Sequence, residues 1–328
     1  MSSRISEEID ASLRAVHGDA DATDAEKAEM LMEIAMGIQG KARQPSDVVA
    51  AVALYERALE LCPMEHYLLH ARVQARMGTA LQSVPSDSIE YLERARDAYE
   101  SARRVFRDHG EPEETAETEM NLGLVLQTLA GVHRAKITDA ISAYQRSLRT
   151  FNKDAHPKEY AILQNNLATA FLSIPFTDHR GKMREALAVQ SFEEGLKVVT
   201  LIDHPVEYAM LQNNLGNALQ YSSSSHVVEN NLRALEAYEE ALKVRTIDAS
   251  PIEYANTICN KANCLMNLPD DLQKPERGNA GRLKDAAAYY EEALGIYLAN
   301  GGDEQARVVS GVLNELRSEL EPAMERSN

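Results

Sequence analysis

The chain has 328 residues, 44% hydrophobic and 26% charged, the proportions of a soluble globular protein. Its net charge of −17 argues against a phosphate-backbone ligand, so no nucleic-acid partner is expected. The charge has two readings, a preference for basic partners or simply an acidic chain kept in solution.

Tryptophan is absent and aromatics make up only 5%, while alanine, leucine and glutamate abound, which favours helix over sheet. Residues 1–18 carry Ile5, Ile9, Leu13 and Val16 on one face of a short amphipathic helix. That stretch has no apolar signal core, and no run in the chain approaches the roughly 18 apolar residues of a membrane helix. A cytoplasmic protein without membrane contact is the expectation. The cysteines, Cys62, Cys259 and Cys264, are odd in number and lack close pairing. Cys259 and Cys264 do not share a helix face, and all three read as small buried hydrophobes in a reducing compartment.

From residue 19 to residue 300 the chain repeats itself. Decayed first copies begin at Thr23 and His70, and a clearer one, EPEETAETEMNLGLVLQTLA, at Glu111. HPKEYAILQNNLATAFLSIP from His156 matches HPVEYAMLQNNLGNALQYSS from His204 at most positions, and SPIEYANTICNKANCLMNLP follows from Ser250. After each copy comes a second segment centred on a ring: Tyr55, Tyr99, Tyr144, Phe192, Tyr238 and Tyr290, spaced 44, 45, 48, 46 and 52 apart.

Both segments have helical periodicity. Tyr208, Leu211, Leu215, Ala218 and Leu219 form one stripe, and Leu235, Tyr238, Ala241 and Leu242 another. Pro112, Pro157, Pro205 and Pro251 open first helices, where the missing N–H costs nothing. Pro85, Pro175 and Pro269 close them, and Thr23 with Glu26 is a capping-box pattern. One such hairpin cannot bury its stripe alone, but a stack can. Residues 301–328 carry Val308, Val309, Val312, Leu313, Leu316 and Leu320, a helix expected to cap the stack. The N-terminal helix could cap the other end or pair with a second subunit, which leaves homo-oligomerisation open.

These residues resemble a known family. Asn214-Leu215-Gly216 with Asn217 and Ala218, and Ala234, Tyr238, Ala241 and Leu242, are similar to the two helices of a tetratricopeptide repeat. The resemblance covers roughly 23–300 and implies an all-α fold, a right-handed superhelical solenoid of antiparallel helix pairs. The period here is longer than the family's usual ~34 residues. The extra residues include PFTDHRGK, SSSSHVVENN and PDDLQKPERGNAGR. Long-period arrays of this look include the kinesin light chains and the repeats beside bacterial caspase-like domains.

The resemblance further implies that first helices line a concave face, with the residue before Leu-Gly pointing into it. Here those residues are Arg76, Asn121, Asn166, Asn214 and Asn260. Asn165 and Asn213 stand one position earlier, and Asn217 and Asn263 three later. Each Asn amide can donate and accept, so a row of them can hold the backbone of an extended peptide. Equally, each can bond the neighbouring helix. A chaperone-type carboxylate clamp needs several cations among these positions, and only Arg76 qualifies, so none is expected.

Other chemistry is thin. His66 and His70 share a face but have no third metal ligand beside them, and His156 and His204 read as turn or cap residues. Ser222 to Ser225 reads as a polar loop, and no phosphate loop or nucleophile elbow occurs. Glu239 with Glu240, and Glu291 with Glu292, point to different faces and form no acid–base pair. No cofactor, no metal and no enzymatic activity are expected. The leading expectation is a peptide- or protein-binding scaffold; the alternative is a regulatory sensor whose superhelix changes on binding a ligand or peptide.

Overall fold

The computed structural model describes residues 3–325 apart from 19, 86–87, 175–178 and 224–225. Among them there is no strand, and the chain is a succession of α-helices with one short 3₁₀ turn at Pro275–Arg277. The helices fall into two compact units, Met1–Asn152 and Lys153–Asn328. This division lies inside the run of repeats.

In the first unit, α1 (Ser3–His17) packs on α2 (Asp24–Gly40) and α3 (Pro45–Leu61). α2 pairs with α3, α4 (Tyr67–Gln82) with α5 (Glu90–His109), and α6 (Pro112–Gly131) with α7 (Ile137–Ser147). In the second unit the pairs are α8 (Pro157–Leu172) with α9 (His179–Leu196), α10 (Pro205–Gln220) with α11 (Val227–Leu242), and α12 (Pro251–Met266) with α13 (Ala280–Ala299). α14 (Asp303–Glu325) closes on α13. Within each unit first helices touch first helices, α2 to α4 to α6 and α8 to α10 to α12. Each unit is thus a stack of helical hairpins, the α-solenoid arrangement that the repeat implied.

The helix ends follow their local chemistry. Proline occupies the first position of α6, α8, α10 and α12, and also of α3 at Pro45. At α2 the Thr23 hydroxyl accepts the Glu26 N–H at 3.3 Å, and Glu26 Oε2 accepts the Thr23 N–H at 2.7 Å. The Thr23 N–H and hydroxyl, both donating to that carboxylate, hold it below its usual pKa. α4 and α12 stop short of Pro85 and Pro269, while Pro175 lies outside the described residues.

The six rings are the core's largest buried groups, Tyr55, Tyr99, Tyr144, Phe192, Tyr238 and Tyr290. Each phenol meets a polar side chain of its own first helix. Tyr55 donates to Gln39 Oε1 at 3.1 Å and Tyr144 to Gln127 Oε1 at 2.9 Å. The hydroxyls of Tyr99 and Thr79 are 2.9 Å apart. In the fourth hairpin the ring is Phe192, which needs no acceptor, and Thr169 instead donates back to the Asn166 carbonyl at 3.0 Å. Burying each such ring contributes about 1.5–3 kcal/mol, and the bonded phenol avoids the penalty of an unpaired polar group.

Two expectations are corrected. Val308 is 60% exposed, because the buried face of α14 is Val309, Leu313, Leu316 and Leu320, one residue out of register with it. Cys259 is only half-buried, unlike Cys62 and Cys264, and all three thiols are free. Of the N-terminal stripe, Ile9 and Val16 are buried, while the Ile5 side chain lies outside the described set.

Candidate functional site

The paired asparagines of α8 and α10 and the single one of α12 form one connected row. Asn260 Nδ2 donates to Asn213 Oδ1 at 3.2 Å. Asn213 Nδ2 donates to Asn214 Oδ1 at 3.1 Å, and Asn214 Nδ2 to Asn165 Oδ1 at 2.8 Å. Asn165 Nδ2 in turn donates to Asn166 Oδ1 at 3.3 Å. Five amides on three adjacent first helices are thereby linked head to tail, a polarised chain in which each bond strengthens the next.

Burial sorts these residues. Asn165, Asn166 and Asn213 are buried, at 7%, 7% and 6% exposure, so their amides serve chiefly to bind helix to helix. Asn213 is the hub, because its Oδ1 also accepts the Thr257 hydroxyl at 3.2 Å. Asn214 and Asn260 are half-buried. Each uses one amide N–H in the row and keeps a second, since an amide nitrogen carries two. The Nδ2 of Asn166 is buried with no partner among the described residues, and such an orphan costs about 1–3 kcal/mol.

Asn217 and Asn263 have a different occupation. Asn217 Oδ1 accepts the Tyr238 phenol at 2.8 Å, and Asn263 Oδ1 accepts the Tyr290 phenol at 2.5 Å. They close the core of their own hairpins while half-exposed on the first-helix face. Burial raises the pKa of both phenols, so they remain donors throughout the neutral range.

In the first unit, Arg76 and Asn121 line a hollow with Arg72, Glu114, Glu117 and Thr118. Arg76 lies 3.6 Å from Glu117, and Arg72 Nε donates to Glu114 at 2.7 Å. Exposed pairs of this kind are worth about 0–1 kcal/mol, so they set the local charge pattern more than the stability. Asn121 is half-buried in the same wall. The site residues therefore sit in two separate settings, a linked amide row in the second unit and a mixed-charge hollow in the first.

Sequence reasoning missed several polar groups. Glu119 is 4% exposed and accepts Arg146 through both oxygens, at 2.7 and 2.8 Å, with Arg103 at 3.3 Å. Nothing in its local pattern distinguishes it from a surface glutamate. Gln220 Oε1 is a second acceptor for Tyr238, at 2.8 Å. Arg245 donates from its guanidinium to the Thr257 hydroxyl at 3.1 Å. Its signal was readable, a charged residue at a register position that is uncharged in every other hairpin.

His66 is the residue before α4 and His70 lies in its first turn, with its pKa lowered by burial. No group of three or more His, Cys, Asp or Glu side chains that could hold a metal occurs among the described residues. His156 and His204 take the N-cap positions of α8 and α10. Ser222 and Ser223 bond the Glu185 carboxylate, and Ser224 and Ser225 lie outside the described residues. No helix of the described residues is long and apolar enough to cross a membrane.

No protein-family model and no curated protein matches this chain. Among solved structures, the crystal structure of the P58(IPK) TPR domain aligns with 98% of this chain and 95% of its own length, at 16% identity and a TM-score of 0.23. A superposition that loose carries no weight here, and the hairpin architecture is read from this chain's own helices.

Proposed function

We propose that the chain is a non-catalytic, tetratricopeptide-type scaffold of the long-period kind, built as six hairpins over 19–300 between two terminal helices. It holds an extended protein segment or peptide on the face lined by its first helices. The observation that carries this reading is the linked amide row across α8, α10 and α12, with the half-buried Asn214 and Asn260 keeping spare hydrogen-bonding capacity. Its spacing suits a peptide backbone, since neighbouring helices lie roughly 8–10 Å apart and an extended chain advances about 3.3 Å per residue. Burial of Asn165, Asn166 and Asn213 supports a division of labour in which they fix the row and Asn214 and Asn260 present it. Asn121, Asn217, Asn263 and Arg76 would extend the contact surface. The charge of −17 favours a basic segment, drawn in by long-range attraction.

The non-catalytic reading is supported by the thiols, which are the strongest nucleophile candidates. Burial pushes Cys259 up to about 11 and Cys264 up to about 12, so neither is an activated thiolate.

The test is selection of peptides from an arrayed library by the full chain, repeated with Asn214→Ala and with Asn260→Ala. Loss of the selected peptides, with circular dichroism and melting retained, is the expected result. Unaltered selection would move the site to the connecting loops or the second-helix face. A small molecule found tightly bound by native mass spectrometry would favour a ligand-responsive sensor instead.

A further inference from the structure

Seven residues after each core ring, the hairpins place Cys62, Phe106, Phe151, Val199, Arg245 and Tyr297. Five of the six are buried at 5% exposure or less, and none of those five is charged. The fifth hairpin puts a guanidinium there. The residue it meets stands six residues after the opening proline, where α8 and α10 carry the fully buried Leu163 and Leu211 and where α12, like α6 with its buried Thr118, carries a threonine, Thr257. Val199 and Leu211 belong to one apolar cluster, so at the next junction two apolar residues have both become polar, and Arg245 and Thr257 touch.

This polar junction is built into the amide row. Thr257 bonds Asn213 Oδ1, the atom that also accepts Asn260. Arg245 is half-buried and has no carboxylate within 4 Å among the described residues. Of its five N–H donors only one bond, to Thr257, is made among the described residues. Partial burial lowers its pKa, opposed by the charge of Glu253, which is exposed in the first turn of α12. A half-desolvated guanidinium with no internal anion is a strong receptor for an external one, because the fork matches a carboxylate and water competes weakly.

We infer that Arg245, with Thr257 beside it, is the anchor for a carboxylate of the peptide held on the amide row. This deepens the scaffold reading and rests on it. The site lies after a second helix, away from the first-helix positions where a chaperone-type clamp would be sought. The carboxylate could be a chain terminus or an Asp or Glu side chain, and the two sources share the same bidentate chemistry.

The test uses the full-length protein with ¹⁵N-labelled arginine side chains and amides. The Nε resonance absent from Arg245→Gln identifies the group. Sodium acetate is titrated against sodium chloride at equal ionic strength. Three acetylated Ala-Ser hexapeptides follow, one with a free C-terminal carboxylate, one amidated, and one amidated with an internal Asp. The expected result is a saturable shift of the Arg245 resonance with acetate and not chloride. The carboxylate peptides should produce it at a concentration roughly ten-fold lower than acetate does, through the added backbone contacts. The better of the two identifies the source.

Arg245→Val, which restores the residue of the fourth hairpin, should fold normally and lose this response. Equal, non-saturating shifts of all arginines with either salt would overturn the anchor. Peptides that move the Asn214 and Asn260 amides equally well in wild type and Arg245→Val would also remove the anchor but leave the scaffold standing. Saturable acetate binding with no peptide effect on those amides would leave the anchor and remove the peptide reading.

Discussion

Gly216 lies beneath the ring of Tyr238 so closely that a methyl group on it would stand 2.5 Å from Cε1 of the tyrosine. Gly78 and Gly123 stand in the same relation to Tyr99 and Tyr144. Gly216→Ala therefore forces the ring off its place, against the hydrogen bonds from its phenol to Asn217 and Gln220. A loss of about 1–3 kcal/mol is expected from overpacking, read as a lower midpoint in urea unfolding. An unaltered midpoint would mean the ring shifts without cost.

Asn213 accepts from both Thr257 and Asn260 and donates to Asn214. Asn213→Ala should cost about 1–3 kcal/mol, because several buried groups lose a partner at once. A double-mutant cycle with Asn260→Ala should show a coupling of about 0.5 kcal/mol or more. Strict additivity of the two variants would break the idea of a linked row.

Glu119→Gln keeps shape but removes the charge that two arginines share. Charge-assisted bonds of this kind are worth about 1.5–3 kcal/mol, and both guanidiniums retain some water, so the lower end is expected. Thermal unfolding of the full chain measures it. A gain in stability would show that the buried carboxylate is a net liability.

Alkaline pH should unfold the protein through its phenols. Burial pushes Tyr55 up to about 12 and raises Tyr99, Tyr144, Tyr238 and Tyr290 as well. A raised folded pKa means the native state holds its proton longer than the unfolded chain. Stability is therefore intact below about pH 10, the ordinary tyrosine value, and falls as pH climbs toward the raised values. Tyr55→Phe should flatten part of that decline. A stability curve unchanged between pH 9 and 12 would contradict the burial of these hydroxyls.

Much of the architecture was legible because it is written in local rules. The prolines at the first positions of α6, α8, α10 and α12 and the Thr23–Glu26 box mark helix starts by backbone chemistry alone. The recurring rings mark the core because a fixed period puts them at one depth. The asparagine row was legible as a row, but its orientation was not. Adjacent positions on a helix differ by about 100°, and Asn213 and Asn214 look alike in sequence although one is buried and the other half-open. The same rotation misplaced Val308. Glu119 was hidden for another reason, since its partners come from two other helices and leave no trace in its own neighbourhood.

The compact division after Asn152 leaves every member of the amide row, and Arg245 with it, on one side of that line. The portion from Lys153 onward is consequently a natural candidate for excision: a half-length reagent, bearing the whole linked amide row, in which recognition by that row is dissected or grafted without the rest of the molecule.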